Sequence, residues 1–172
     1  MFYISILVLL SAVVVFIHVA WSDFLHWKIS NQSVLMLIAL FLTHAFTAKL
    51  AGGELSREIN ILFNLGAGLL LFTIGVILWI LKLFGAGDAK LFFPVGLFLG
   101  WNQLVLFSIG LLGAGIFVFI LLKSPLPEFV RNNSFGLRID ELRQTRKAPY
   151  GVVIILPLLL IIWLKYIPII SL

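Results

Sequence analysis

The chain has 172 residues, 62% of them hydrophobic and 11% charged, and its mean hydropathy is +1.19. Soluble domains carry about 25% charged residues, so this balance excludes a water-soluble globule and points to a multi-pass membrane protein. The formal charge of +5 is read as orientation and contact with the lipid bilayer, with no nucleic acid partner implied, and the absence of cysteine excludes disulfides, thiolate metal sites and cysteine nucleophiles.

Continuous apolar runs of about 20 residues predict helices, because barrel strands would alternate over short segments. Phe2 to Ala20 is apolar but lacks a basic n-region, and His18-Val19-Ala20-Trp21 lacks a small-residue cleavage pattern, so it is read as a retained helix 1. Ser22 to Gln32 reads as a polar turn, Ser33 to Leu50 as helix 2, Ala51 to Glu58 as a polar loop, and Ile59 to Leu83 as helix 3.

The apolar region from Ala89 to Leu122 is 34 residues long and broken only at Trp101-Asn102-Gln103. It is too long for one ordinary span, which predicts two helices meeting at that break. The first, Ala89 to Gly100 with Pro94 and Gly96 inside it, would rise only about 18 Å against a hydrocarbon core of about 30 Å. A short helix here would admit water to that end of the bundle. Lys123 to Ala148 is the sizeable polar segment, with Ile139 to Lys147 as a short surface helix, and Gly151 to Ile170 is helix 6. The expectation is an all-α membrane protein, one six-helix bundle and a single domain over 1–172.

With six spans, loops 1, 3 and 5 share one side. They hold Lys28, Lys82, Lys90, Lys123, Arg131, Arg138, Arg143, Arg146 and Lys147, nine of the twelve basic residues. The positive-inside rule makes that side cytoplasmic. Asp23 in loop 1 and Asp88 in loop 3 then fall on the same face.

His18, His26 and His44 form no HxxxH or HExxH pattern, so a zincin-type hydrolase is not supported and no metal is expected. Three aspartates are present, Asp23, Asp88 and Asp140. The first two sit where apolar helices reach the interface, and Asp88 lies in the glycine-framed stretch Gly85-Ala86-Gly87-Asp88-Ala89-Lys90-Leu91. Two carboxylates a few ångströms apart cannot both ionise. One keeps its proton as acid while the other activates a water, so the pair needs no metal, nucleophile or cofactor. The dipole of the following helix favours the charged form of Asp88 and makes it the base. A structural reading stands beside this one: Asp88 as a helix N-cap, Gly85 and Gly87 as a tight turn, Asp23 as an interface residue. The residues alone leave both open.

Gly85-Ala86-Gly87-Asp88-Ala89-Lys90-Leu91 resembles the GxGDxKL signature of type IV prepilin peptidases, a branch of the GxGD membrane aspartyl proteases. Asp23 followed by Ile29-Ser30-Asn31 is similar to the family's first aspartate with its downstream Ile-Pro-Asn. Pro149-Tyr150-Gly151 is similar to its Pro-Tyr-Gly element. The three elements occur in the family's order and cover nearly the whole chain.

The resemblance implies an aspartic endopeptidase of the bacterial cytoplasmic membrane, with Asp23 and Asp88 as the catalytic pair. It would remove the basic leader peptide of prepilins or pseudopilins at the cytoplasmic face. Gly85, Gly87, Lys90, Asn31, Pro149, Tyr150 and Gly151 are its supporting or substrate-binding residues. Asn31 is expected to cap helix 2, and Lys90 either snorkels to headgroups or acts directly. Pro149-Tyr150-Gly151 is expected to start the last helix and pack it. Gly85 and Gly87 either permit the turn or let substrate backbone lie against Asp88.

Ser30 stands where the family often has proline, which is expected to loosen the turn. Larger bifunctional relatives carry a cysteine-containing methylating domain. The compact, cysteine-free chain instead resembles the peptidase-only enzymes of Flp/Tad pilus systems. Presenilin-like relatives have a Pro-Ala-Leu element that is absent here. Two other classes remain as rivals: a non-catalytic assembly or scaffold subunit of a pilus or secretion system, and a small transporter whose aspartates carry protons or cations.

Overall fold

A computed structural model describes residues 1–124, 134–145 and 149–170, and within these every regular element is helical. In lipid the backbone must satisfy its own polar groups, and an unbroken apolar run does so as a helix. The elements are α1 (Phe2–His26), α2 (Asn31–Ala51), α3 (Gly53–Glu58), α4 (Ile61–Ile80) and α5 (Ala86–Leu99), then a 3₁₀ turn (Trp101–Gln103), α6 (Leu104–Lys123), α7 (Ser134–Thr145) and α8 (Tyr150–Ile170). Among the described residues, four helices are long and apolar enough to cross a membrane: α1, α2, α4, and α6 with its leading 3₁₀ turn. Arg131, Arg146 and Lys147, used in the charge count, lie outside the described residues.

Several boundaries differ from the sequence reading. Helix 1 runs six residues past Ala20, so Asp23 lies in the last turns of α1 and not in a loop. It stops at Trp27, whose φ of 57° is left-handed, a costly conformation for a bulky residue. Trp27 N–H closes the helix on the Asp23 carbonyl at 2.9 Å. The expected polar loop after helix 2 contains the short helix α3, and the surface helix expected over 139–147 begins earlier, at Ser134. The break at Trp101-Asn102-Gln103 is where it was expected, after Gly100 with a φ of 72°.

α5 has 14 residues and so rises about 21 Å, short as anticipated. It is also the most enclosed helix: every residue from Leu91 to Leu99 except Phe93 is buried. α4 packs along it, and α2, α6 and α8 meet its other sides. Hydrophobicity does not drive helix pairing in lipid, so close approach by small residues matters. A Cβ on Gly96 would stand 2.6 Å from the Ala67 carbonyl oxygen and 2.6 Å from Gly68 Cα. Only glycine lets α4 and α5 come this close. α1 pairs with α2 and α8, and α6 pairs with α8 and carries α7. Three helix ends thereby converge: the C-terminal end of α1 and the N-terminal ends of α5 and α8.

Candidate active site

Asp23 and Asp88 both lie at that convergence. Both are buried, 6% and 8% exposed, and close enough for their charges to act on each other. Each is held by one backbone amide. Gly85 N–H donates to Asp88 Oδ2 at 3.1 Å, and Gly151 N–H donates to Asp23 Oδ2 at 2.8 Å. Oδ1 of each carboxylate makes no hydrogen bond among the described residues. Asp88 is the third residue of α5 and reaches back to the residue before the helix, as the acidic half of a capping box does. The capping reading is thus correct in kind but not in position, because Gly85 and not Asp88 precedes the helix.

The glycines answer to proximity, not to unusual dihedrals. Gly85 is extended, with φ −74° and ψ 152°, and Gly87 lies inside α5. A Cβ on Gly85 would sit 2.9 Å from Asp88 Oδ2. One on Gly87 would sit 3.2 Å from Ile29 Cβ. The tight-turn alternative therefore gives way to close packing, and Ile29 occupies the space over Gly87 that the other alternative would give to substrate backbone. Gly151 is the most constrained of the three: a Cβ there would lie 2.8 Å from Asp23 Oδ2 and 2.9 Å from its Cγ.

The remaining candidates divide. Ser30, not Asn31, caps α2, with φ −75°, ψ 144° and Ser33 N–H donating to its Oγ at 3.0 Å. An extended backbone and a short hydroxyl suit that position, so the serine in the proline position secures the turn and does not loosen it. Asn31 Oδ1 instead accepts from Lys90 Nζ at 3.0 Å, which ties α5 to α2 beside the aspartates. Pro149 is buried, and its carbonyl accepts from the amides of Val152 and Val153 to begin α8. The Tyr150 ring packs on Phe84, centroids 4.7 Å apart.

Sequence reasoning missed three features of the site. The Gly151 amide holds Asp23, Ile29 covers Gly87, and Arg138 of α7 reaches the end of α1, its Nε donating to the Phe24 carbonyl at 2.8 Å. The glycine just inside the start of the last helix was a signal for the first, since helix N-terminal amides lack partners. Among the described residues no cluster of His, Cys, Asp or Glu is placed to hold a metal ion.

Membrane-length apolar helices that converge around two buried carboxylates define a polytopic helical protein with a polar site at one end of its bundle. The type IV leader peptidase family matches residues 8–123, about two thirds of the chain and a stretch containing both aspartates. The protein belongs to that family, and with it comes leader-peptidase activity on prepilins. No curated protein and no solved structure matches the chain.

Proposed function

We propose that the protein is an aspartic endopeptidase of the GxGD type in which Asp23 and Asp88 share the catalytic work. The observation carrying this reading is that each buried carboxylate is oriented through one oxygen by a glycine amide and, among the described residues, keeps its other oxygen uncommitted. Facing carboxylates hold one proton between them as a unit. The protonated member hydrogen-bonds the scissile carbonyl oxygen, and the charged member takes a proton from the attacking water. The tetrahedral diol that forms then collapses: the carboxyl that took the water proton passes it to the nitrogen, which leaves as the amine, while the other carboxylate takes a proton from a diol hydroxyl. The choice of Asp88 as base rests on its place in the first turn of α5, against that of Asp23 in the last turns of α1, and the Arg138 guanidinium beside Asp23 acts in the opposite sense.

The substrates under this reading are Flp-like prepilins or pseudopilins with short basic leaders, cut at the cytoplasmic face of the bacterial inner membrane. No methylation follows, in keeping with a chain that has no cysteine. α5 and α8 complete a single-domain six-helix bundle with the four longer spans. The experiment is leader removal from a co-expressed prepilin, read by its size shift, with Asp23→Asn and Asp88→Asn. Each substitution is expected to abolish processing while the protein still accumulates in the membrane. Normal processing by either variant overturns the assignment of the pair.

A further inference from the structure

Arg138 lies on α7, outside the stretch matched by the family. α7 is anchored by Ile139 and Leu142, each 2% exposed, so the guanidinium projects from a packed helix. Nε donates to the Phe24 carbonyl at 2.8 Å, Nη1 donates to Glu141 Oε2, and Cζ stands 5.1 Å from the centre of the Trp27 ring. Phe24 adjoins Asp23, and Trp27 is the left-handed residue that closes α1 on the Asp23 carbonyl. The guanidinium is thus seated on the turn that carries one carboxylate of the pair, and its charge acts on Asp23.

Two of its three nitrogens are spent on these contacts. Nη2 is buried and has no hydrogen-bond partner among the described residues, in a side chain only 11% exposed. A buried donor left unmade is costly, and such a group in a folded protein calls for an explanation. Arg143, on the same helix, also has one buried nitrogen, Nε, with no hydrogen-bond partner among the described residues, but its Nη2 donates to the Leu121 and Ser124 carbonyls at the end of α6 and not to α1.

We propose that Arg138 is a substrate-binding residue whose Nη2 donates to a main-chain carbonyl oxygen of the leader peptide lying beside Asp23. The assignment rests on the proposed role of Asp23. The acceptor is a carbonyl because each paired face of the guanidinium is already half used, one through Nε and the other through Nη1. A carboxylate or headgroup phosphate prefers two parallel donors, whereas a carbonyl oxygen needs one. At the scissile bond, negative charge grows on that oxygen as water adds, so a cationic donor there acts on turnover more than on ground-state binding.

The test uses the full chain in phosphatidylcholine–phosphatidylglycerol vesicles with a prepilin substrate, comparing Arg138→Lys and Arg138→Gln with Glu141→Gln as control. Loss of one such donor is expected to lower kcat about 100-fold with KM changed much less, at an unchanged melting temperature. Glu141→Gln, which leaves Nη2 in place, is expected to stay within about twofold of the parent.

Arg138→Lys with parental kcat overturns the proposal, as does a loss in Glu141→Gln equal to that of the arginine variants. A loss that tracks melting of the protein assigns Arg138 to anchoring α7 alone and also overturns it. So does a defect that vanishes in vesicles without phosphatidylglycerol, because the acceptor is then a headgroup. The two readings fail separately. Normal cleavage by Asp23→Asn defeats the catalytic pair, whereas an inactive Asp23→Asn beside a fully active Arg138→Lys defeats only the role of Arg138.

Discussion

The two ends of α1 carry buried polar residues of opposite kinds. Ser5 and Asp23 are separated by about 27 Å of helix, and both are almost fully enclosed. Around Ser5 the polar atoms satisfy one another. Its Oγ meets His44 Nδ1 at 2.9 Å, that nitrogen also lies 3.0 Å from the Ser5 carbonyl, and His44 Nε2 meets the Tyr166 hydroxyl at 3.3 Å. Nearby, Lys165 pairs with Glu58 at 3.6 Å. Around Asp23, among the described residues, each carboxylate receives a single amide and the Arg138 guanidinium keeps an unused donor. A polar group inside a bundle is costly unless bonded. The His44 end is therefore built as a closed network that joins α1, α2 and α8, whereas the aspartate end is incomplete among the described residues, and under the proposed function a peptide brings the missing partners.

That contrast can be broken at either end. Beyond the carboxylates themselves, the largest effect on cleavage is expected from Gly151→Ala, whose Cβ would enter the space of the Asp23 carboxylate. A misplacement of about 1 Å costs on the order of 100-fold in rate, so kcat should fall by about that factor. Parental kcat would show that Asp23 need not sit where Gly151 holds it.

His44→Ala is expected to act on stability instead. Leaving the Ser5 and Tyr166 hydroxyls without their shared partner costs about 1–3 kcal/mol, read as a lower melting temperature in detergent. Cleavage well below that temperature should stay within about twofold of the parent, since no contact of His44 reaches the aspartates. A selective loss of turnover would erase the distinction between the two ends.

Gly87→Ala should be milder, because its new Cβ meets the Ile29 side chain at 3.2 Å and a side chain can yield. A cost of about 1 kcal/mol in stability with cleavage largely retained is expected. Complete loss of cleavage in a folded variant would restore the idea that substrate lies against Gly87. The smallest effect is expected from Lys90→Gln, which weakens an exposed link to Asn31 worth at most about 1 kcal/mol. Cleavage kinetics and melting together would separate that tie from direct catalysis.

How far the sequence was legible differs between helices and site. The apolar runs located α2, α4, α6 and α8 to within about three residues, and the polar break lies at 101–103 as expected, because in lipid the backbone must satisfy its own polar groups. Polar segments were less legible. Ser22 to His26 continues α1 despite its composition, as a helix can carry polar residues on its last turns where water and headgroups begin. Residues 53–58 are helical, although glycine and charge suggested a loop. At the site, Asp23, Asp88 and the Pro149-Tyr150-Gly151 element were visible as residues. Their contacts were not, because Gly151 and Asp23 are 128 positions apart and no local pattern encodes that meeting.

For Gly85-Ala86-Gly87-Asp88, the sequence by itself determined that a carboxylate must stand at the start of a short helix, framed by residues without side chains. It also determined the membrane class, since composition decides partition between water and lipid without reference to contacts. Only the tertiary structure decided what the glycines are for. Gly85 leaves room for Asp88 to fold back, Gly87 receives Ile29, and Gly151, far along the chain, offers its amide to Asp23. Those are relations of distance between separate helices, set by how α1, α5 and α8 pack, and packing partners are not written in the local order of residues.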